Sequence, residues 1–347
     1  MNVVMVTGSD QPQGCGVTHY SLRLVDALRS HGISCDAISL ARWTAWSVTG
    51  LARRIRSLKP DIIHMQYPTA AYGRSIAPQF LSLLLPMVIT IHEVTQPHVL
   101  RRLSLYPFGM RSPQIIFTTP YERAYASRWA PWITSQSQVI NIGSNIPVVP
   151  RSATAADPGI VYFGFLRPRR GLEQVLELGK LLREAGVRER ITIVGAAQPR
   201  WSAYVSALRA RGAGLPVRWE TDLSDTSVAH LLARSQIAYL PFPDGASHRR
   251  TSLIAALCHG VAVVTTRGTQ TPAELTGVVE FVNSPAETLT AVQRLRRDDA
   301  GRQLLSANAI RYAERFSWEK IAQEHVHAYD AILDGTQQRC RMDHQAL

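Results

Sequence analysis

The chain has 347 residues, 46% hydrophobic and 18% charged, which excludes a disordered or fibrous protein and leaves room for two ordinary domains, each with its own core. Its net charge of +12 rests almost wholly on arginine, with Lys59, Lys180 and Lys320 the only lysines, and suits an anionic partner such as a nucleotide, a phospholipid surface or nucleic acid. Cys15, Cys35, Cys258 and Cys340 form no CxxC pair or Cys/His cluster, so a reduced cytosolic protein without a structural metal is expected.

The opening "MNVVMVTGSD" lacks the basic region and long apolar core of a signal peptide. "NVVMVTG" reads as a short buried strand closed by Gly8. Val17, Tyr20, Leu24, Val25 and Leu28 then keep helical spacing up to Gly32. "DIIHMQY", "MVITIHE" and "QIIFTTP" are further strands with helical stretches between them, and this βαβα order predicts a parallel sheet covered on both faces. "LSLLLPMVITI" is broken by Pro86 into helix end, turn and strand, and no apolar run approaches the roughly 20 residues that span a bilayer.

The pattern breaks at "NIGSNIPVVPRSATAADPG", residues 141–159, which reads as a linker. Alternation restarts with "IVYFGF", a helix through Leu172, Val175, Leu176 and Leu182, "ITIVGA", a helix over 201–208, "IAYLPF" and "VAVVTT". The fold class is therefore α/β, with two doubly wound Rossmann-like domains, 1–150 and 151–317, facing a central cleft. A closing helix over about 318–335 carries an apolar stripe of Trp318, Ile321, Ala322, His325, Tyr329 and Leu333, with Ser317 as its cap. Past Gly335 the polar tail is expected to fray.

Ligands of doubly wound sheets bind at the carboxyl ends of the strands, which singles out four loops and the cleft between the domains. In "GSDQPQGCGVTHY", Gly14 and Gly16 flank Cys15 before a helix and would let backbone N–H groups approach a phosphate or sugar. His92 ends the strand of "ITIHEV" beside Glu93, placed to hydrogen-bond a sugar hydroxyl or to steady developing charge. Arg167, Arg169 and Arg170 in "FGFLRPRRGLEQ" stand between apolar segments, and their planar forks match diphosphate oxygens. "PFPDGASHRRTS", residues 241–252, brings Ser247, His248, Arg249, Arg250, Thr251 and Ser252 to the start of a helix over 253–257, whose positive end would complete an anion pocket.

These segments, with "GCGVTHYSLRLVDAL", "PDIIHMQYP", "ITIVGAA", "LSDTSVAHLLARSQIAYLPF", "LIAALCHGVAVVTT" and "RYAERFSWEKIAQEHVHAYDAIL", occur in the order seen in retaining glycosyltransferases of the GT-B fold, family-four type, which the chain resembles from Met1 to about Leu333. The resemblance implies a nucleotide-sugar donor, UDP- or GDP-linked, held mainly by the C-terminal domain, and an acceptor on the N-terminal one. It gives His92 a contact with the donor sugar and sets Arg170 where the family has a phosphate-binding lysine, with Arg167 nearby. Gly14 and Gly16, with Gly195 in the second half, fall in the donor-binding loops, and the helix from Trp318 would return to the N-terminal domain. The family's two glutamates, seven residues apart, would fall near Ser247 or His248 and at Ala255, and neither position is acidic.

The expected reaction is transfer with retention, with Arg167, Arg170 and the Arg249/Arg250 loop stabilising a departing diphosphate, and with no metal or further cofactor. His19, Tyr20, Gln66, Tyr67 and Glu93 are expected to line the acceptor side, for a hydroxylated or amino-bearing small molecule or a lipid-linked acceptor. "ARWTAWSVTGLARRIRSLK" and "HVLRRLSLYPFGMR" mix aromatics with arginines and read either as ordinary helix faces or as a peripheral contact with an anionic membrane, on an otherwise cytoplasmic protein. A nucleotide-sugar or partner binder without catalysis, and an epimerase or phosphorylase on the same fold, stay open. Nucleic acid as partner rests on charge alone.

Overall fold

The computed structural model describes residues 1–9, 15–95, 102–151 and 159–345. Two compact units emerge: Met1–Gly143 with Ser317–Leu347, and Ser144–Phe316.

The first unit is built on a parallel sheet of β1 (Asn2–Val6), β2 (Ser34–Ile38), β3 (Ile62–Tyr67), β4 (Val88–Ile91), β5 (Ile115–Phe117) and β6 (Ser137–Val139), in spatial order β2-β1-β3-β4-β5-β6. Its helices are α1 (Gly16–Ser30), α2 (Ala45–Ser57), α3 (Ala77–Leu84), α4 (Leu105–Arg111) and α5 (Pro120–Trp129). Thr44 opens α2 as a capping box, its hydroxyl accepting the Ser47 N–H at 3.1 Å, and the Thr119 hydroxyl caps α5 by accepting the Glu122 N–H at 3.1 Å. Right-handed crossovers place α2 to α5 on one face of the sheet and α1 on the other. Val4, Val6, Val48, Leu51, Ile55, Met65, Leu81, Ile89, Leu105, Phe108 and Phe117 form the core under the α2–α5 layer.

The second unit repeats the scheme with β7 (Ile160–Phe163), β8 (Ile191–Gly195), β9 (Val217–Thr221), β10 (Ile237–Leu240), β11 (Ala262–Thr265) and β12 (Glu280–Phe281). The spatial order is β12-β11-β10-β7-β8-β9, again all parallel. The helices are α6 (Leu172–Glu184), α7 (Ser202–Arg211), α8 (Asp225–Arg234), α9 (Thr251–Cys258), α10 (Pro285–Arg297) and α11 (Asp299–Ala313).

The last helix, α12 (Trp318–Gln345), belongs to the first unit and lies against α1. Ser317 accepts the Lys320 N–H at 3.2 Å, and Ile321, Ala322, His325 and Tyr329 are buried. The backbone stays helical through Gln345, so the fraying expected past Gly335 is corrected: Gln, Arg and Met there are good helix formers, and polarity alone does not end a helix. Four strands, β2, β6, β9 and β12, add to those expected, and each is a sheet edge.

Candidate functional site

In the second sheet the chain steps outward from β7 to β9 and returns to β10, which lies beside β7. Loops after these two strands leave in opposite directions, and that reversal opens a crevice at their carboxyl ends. The loops are residues 164–171 and 241–250, the two arginine-bearing stretches. They abut: Gly171 has φ 80°, and a Cβ there would collide with the Pro241 carbonyl oxygen, so only glycine fits.

Arg167 and Arg170 are half-buried, whereas Arg169 is exposed in the left-handed region at φ 62°. Tyr162, at the end of β7, donates its hydroxyl to the Arg170 carbonyl at 2.9 Å. Burial pushes the Tyr162 phenol up, Glu173 adds to that rise, and the guanidinium groups of Arg170, Arg250 and Arg167 oppose it. Cations from both loops thus act electrostatically on one buried ring. Arg250 stacks over the Phe242 ring at 4.9 Å and pairs with Asp244. It is also the N-cap of α9, which has no side-chain cap and no acidic residue in its first turn. The free N–H groups and positive end of α9 therefore add to the cationic loops, with Thr251, Ser252 and Arg249 half-buried beside them.

His248 departs from the sequence expectation. It is buried against Tyr312 and Phe316, with Nε2 2.7 Å from the Tyr312 hydroxyl, and its pKa is lowered to about 4 by burial and then by Arg315. A neutral, inward-turned imidazole does not hold a diphosphate; it anchors the loop to α11. Ser247 is buried too and accepts the Arg250 N–H at 3.0 Å through its carbonyl. Gly195 ends β8, where a Cβ would strike the Gly164 carbonyl, so its smallness seats the loop after β7. Ala255 is fully buried in α9.

In the first unit His92 follows β4, and its N–H donates to the Tyr67 carbonyl at 2.8 Å. Its Nε2 lies 2.8 Å from Gln66 Oε1, an acceptor only, so Nε2 carries the proton. The Gln66 amide nitrogen sits 3.2 Å from His64 Nε2 and 3.3 Å from Met5 Sδ. His64 Nε2 is also 2.7 Å from Thr90 Oγ1, and its Nδ1 is 2.6 Å from the Tyr329 hydroxyl. His64 is held well below its ordinary pKa by burial and then by His325 and His92, so it stays neutral: Nε2 accepts from Gln66, and Nδ1 donates to Tyr329. A buried polar chain thus runs Tyr329, His64, Gln66, His92, linking α12 to the carboxyl end of the sheet. The Tyr20 ring stands edge-on to His92 at 5.0 Å and tilts against Trp318 at 5.3 Å.

Gln66 and Tyr67 are therefore not acceptor-lining groups. They close β3, an interior strand of a sheet covered on both faces, and strand alternation sends them to opposite buried sides. Tyr67 meets Ser104 Oγ at 3.0 Å and Gln79 Nε2 at 3.1 Å, with its ring against Phe108. Tyr20 is buried as well, while His19 and Glu93 are half-buried. Gly14 lies outside the described residues. Gly16 begins α1, where a Cβ would meet nothing within 4 Å. Cys15 is the N-cap of α1, and its Sγ receives the Ala70 N–H at 3.4 Å. Burial raises the thiol pKa, but N–H groups of Ala70, Thr18 and Val17 and the Thr18 hydroxyl outweigh it, and the net shift is downward.

Among the described residues no three His, Cys, Asp or Glu side chains group as a metal site, and no helix is long and apolar enough to cross a membrane.

No family model matches the chain. Over 94 residues it is 34% identical to a D-inositol 3-phosphate glycosyltransferase of Corynebacterium kroppenstedtii, a stretch covering 27% of this chain and 20% of that protein. The chain thus matches about a fifth of the length of its curated relative. Sucrose-phosphate synthase of Thermosynechococcus elongatus aligns over 96% of this chain and 100% of its own, with TM-score 0.72 and 15% identity. The HepE protein of Anabaena, in complex with UDP-glucose, aligns over 95% and 100%, with TM-score 0.72 and 15% identity. The catalytic domain of starch synthase IV of Arabidopsis thaliana, bound to ADP and acarbose, aligns over 96% and 99%, with TM-score 0.64 and 11% identity. The architecture is the GT-B fold of glycosyltransferases.

Proposed function

We propose that the protein is a retaining glycosyltransferase that moves a sugar from a UDP- or GDP-linked donor to a hydroxylated or amino-bearing acceptor, free or lipid-linked. The observation that carries this reading is the gathering of Arg167, Arg170 and Arg250 with the uncapped start of α9 at the strand reversal of the second unit. That is a cradle for two linked phosphates. The short match to an inositol-phosphate glycosyltransferase, and the UDP-glucose and ADP in two proteins of the same fold, support it.

In the proposed reaction the bond from the sugar's anomeric carbon to the diphosphate oxygen breaks, and its electron pair leaves with the diphosphate. Positive charge grows on the ring while negative charge grows on the leaving oxygen. Arg167 and Arg170 meet that negative charge with preset guanidinium groups, which costs no reorganisation during the reaction. Arg250 contributes less, because Asp244 already shares its charge. The acceptor oxygen bonds on the face the diphosphate leaves, and its proton passes to a phosphate oxygen of the donor, so the mechanism calls on no protein base or metal. His92, fixed by Gln66 and Tyr20, hydrogen-bonds the transferred sugar.

Incubation with a panel of nucleotide sugars and cell extract, followed by mass spectrometry, tests the reading: free nucleoside diphosphate and a new glycoside are expected. A second reading, binding without turnover, is favoured by the buried Ala255 where the resembled family carries a ribose-binding glutamate. It predicts nucleotide-sugar binding with no product under any acceptor.

A further inference from the structure

We propose that the outer surface of the α2–α3–α4 layer docks the first unit on an anionic lipid bilayer. Between Ala37 and Tyr121 the chain carries Arg42, Arg53, Arg54, Arg56, Lys59, Arg74, Arg101, Arg102 and Arg111 against only Asp61 and Glu93. This quarter of the sequence holds a surplus of seven of the chain's twelve positive charges, and α2, α3 and α4 contain no acidic residue.

The same layer exposes large apolar side chains that a water-facing surface has no reason to display together. Trp46 is 87% exposed, Ile76 70%, Leu103 53%, Phe80 47% and Tyr106 46%. They lie at or near the first turns of three neighbouring helices, and side-chain hydrogen bonds hold those turns together. Ser75 Oγ donates to the Trp43 carbonyl at 2.6 Å, tying the start of α2 to that of α3. Gln79 donates to Ser104 Oγ at 2.7 Å, tying α3 to the start of α4. At the far end, Arg56 from α2 and Arg111 from α4 donate to the last-turn carbonyls of Leu84 and Leu83 at 3.0 and 2.7 Å. The layer is thus a braced plate, with apolar side chains raised from a cationic ground.

Arg42, Arg53 and Arg54, on and just before α2, and Arg74, two residues ahead of Ile76, are exposed like Trp46, Ile76 and Phe80 in the same layer. Anionic headgroups complement the arginines, and the acyl boundary takes the apolar tips, a combination that neither a polyanion in solution nor an apolar protein surface satisfies on both counts. The proposal concerns the first unit alone and does not depend on the reaction proposed above.

Co-sedimentation of the full chain with vesicles of phosphatidylcholine alone, or with about 30% phosphatidylglycerol, tests it. The protein should pellet with the anionic vesicles only. Each arginine near such a surface contributes about fivefold to partitioning at moderate salt. Arg42→Gln with Arg74→Gln should therefore weaken binding roughly 25-fold, and Trp46→Ser with Ile76→Ser and Leu103→Ser should weaken it at least about tenfold. All five residues are at the surface, so circular dichroism should show unchanged folding. Equal pelleting with neutral vesicles, no pelleting at low salt, or full binding by both variants would overturn the proposal. So would self-association or DNA binding that uses the same residues in place of lipid.

Discussion

His325 gives the account a quantitative test. It is fully buried on α12, its ring 5.5 Å from His64 and 6.1 Å from Tyr329, with Nδ1 2.7 Å from the Ile321 carbonyl and, among the described residues, no hydrogen-bond partner for Nε2. Burial lowers its pKa from 6.5 to about 4, the Ile321 carbonyl resisting part of the fall. Between those values the unfolded chain takes up a proton that the folded chain refuses, so stability is intact above pH 6.5 and falls as pH drops toward 4. At about 1.36 kcal/mol per pKa unit the full loss is about 3 kcal/mol, of which about 1 kcal/mol has gone at about pH 5.5. His64, displaced in the same direction, and His248, at about 4, add losses of the same sign. The perturbation is His325→Leu, which removes the titrating ring and the orphan Nε2 at similar volume. Urea unfolding followed by circular dichroism at about pH 7.5 and about pH 5.5 should show a variant at least as stable at the higher pH and less acid-sensitive than the parent by about 1 kcal/mol. Identical pH dependence in both proteins would refute the reasoning.

Arg170→Ala should lower kcat by about 10²–10³-fold, while Arg169→Ala, at an exposed position, should leave it within about twofold; steady-state assays with the donor found by the panel would separate them. Gln66→Leu removes the acceptor of His92 Nε2 and the donor to His64, so it should cost about 1–3 kcal/mol in urea unfolding. It should also lower kcat by about 10–100-fold through a mis-set imidazole, with nucleotide affinity of the second unit unchanged by titration. Gly171→Ala places a side chain at φ 80° against the Pro241 carbonyl, and a destabilisation of at least about 2 kcal/mol is expected by chemical denaturation.

The eight interior strands of the two sheets are legible as short apolar runs because both their faces are covered. The four that escape are edges: "SCDAI" of β2 and "VRWET" of β9 mix polar and apolar residues, while β6 and β12 have three and two residues, too few to show a period. The arginine loops are visible because cations between apolar segments stand out, and the strand order then explains why two loops distant in sequence share one crevice. Residue type alone does not tell inward from outward at a strand end. That is why Gln66, Tyr67 and His248 read as ligand-facing, although their partners lie in the interior at long sequence separation. Tyr329, which accepts the His64 Nδ1 proton and so ties α12 to the Gln66–His92 contact, is 265 residues from His64, and no local pattern announces such a pairing.

The central claim is that guanidinium groups of the second unit grip a diphosphate, and calorimetric titration with UDP, GDP and the corresponding nucleosides tests it most directly. The account predicts that a nucleoside diphosphate binds at least about 100-fold more tightly than its nucleoside and that Arg167→Ala with Arg170→Ala removes that difference. Equal affinity for nucleoside and diphosphate, or undiminished diphosphate binding by the double variant, would contradict it.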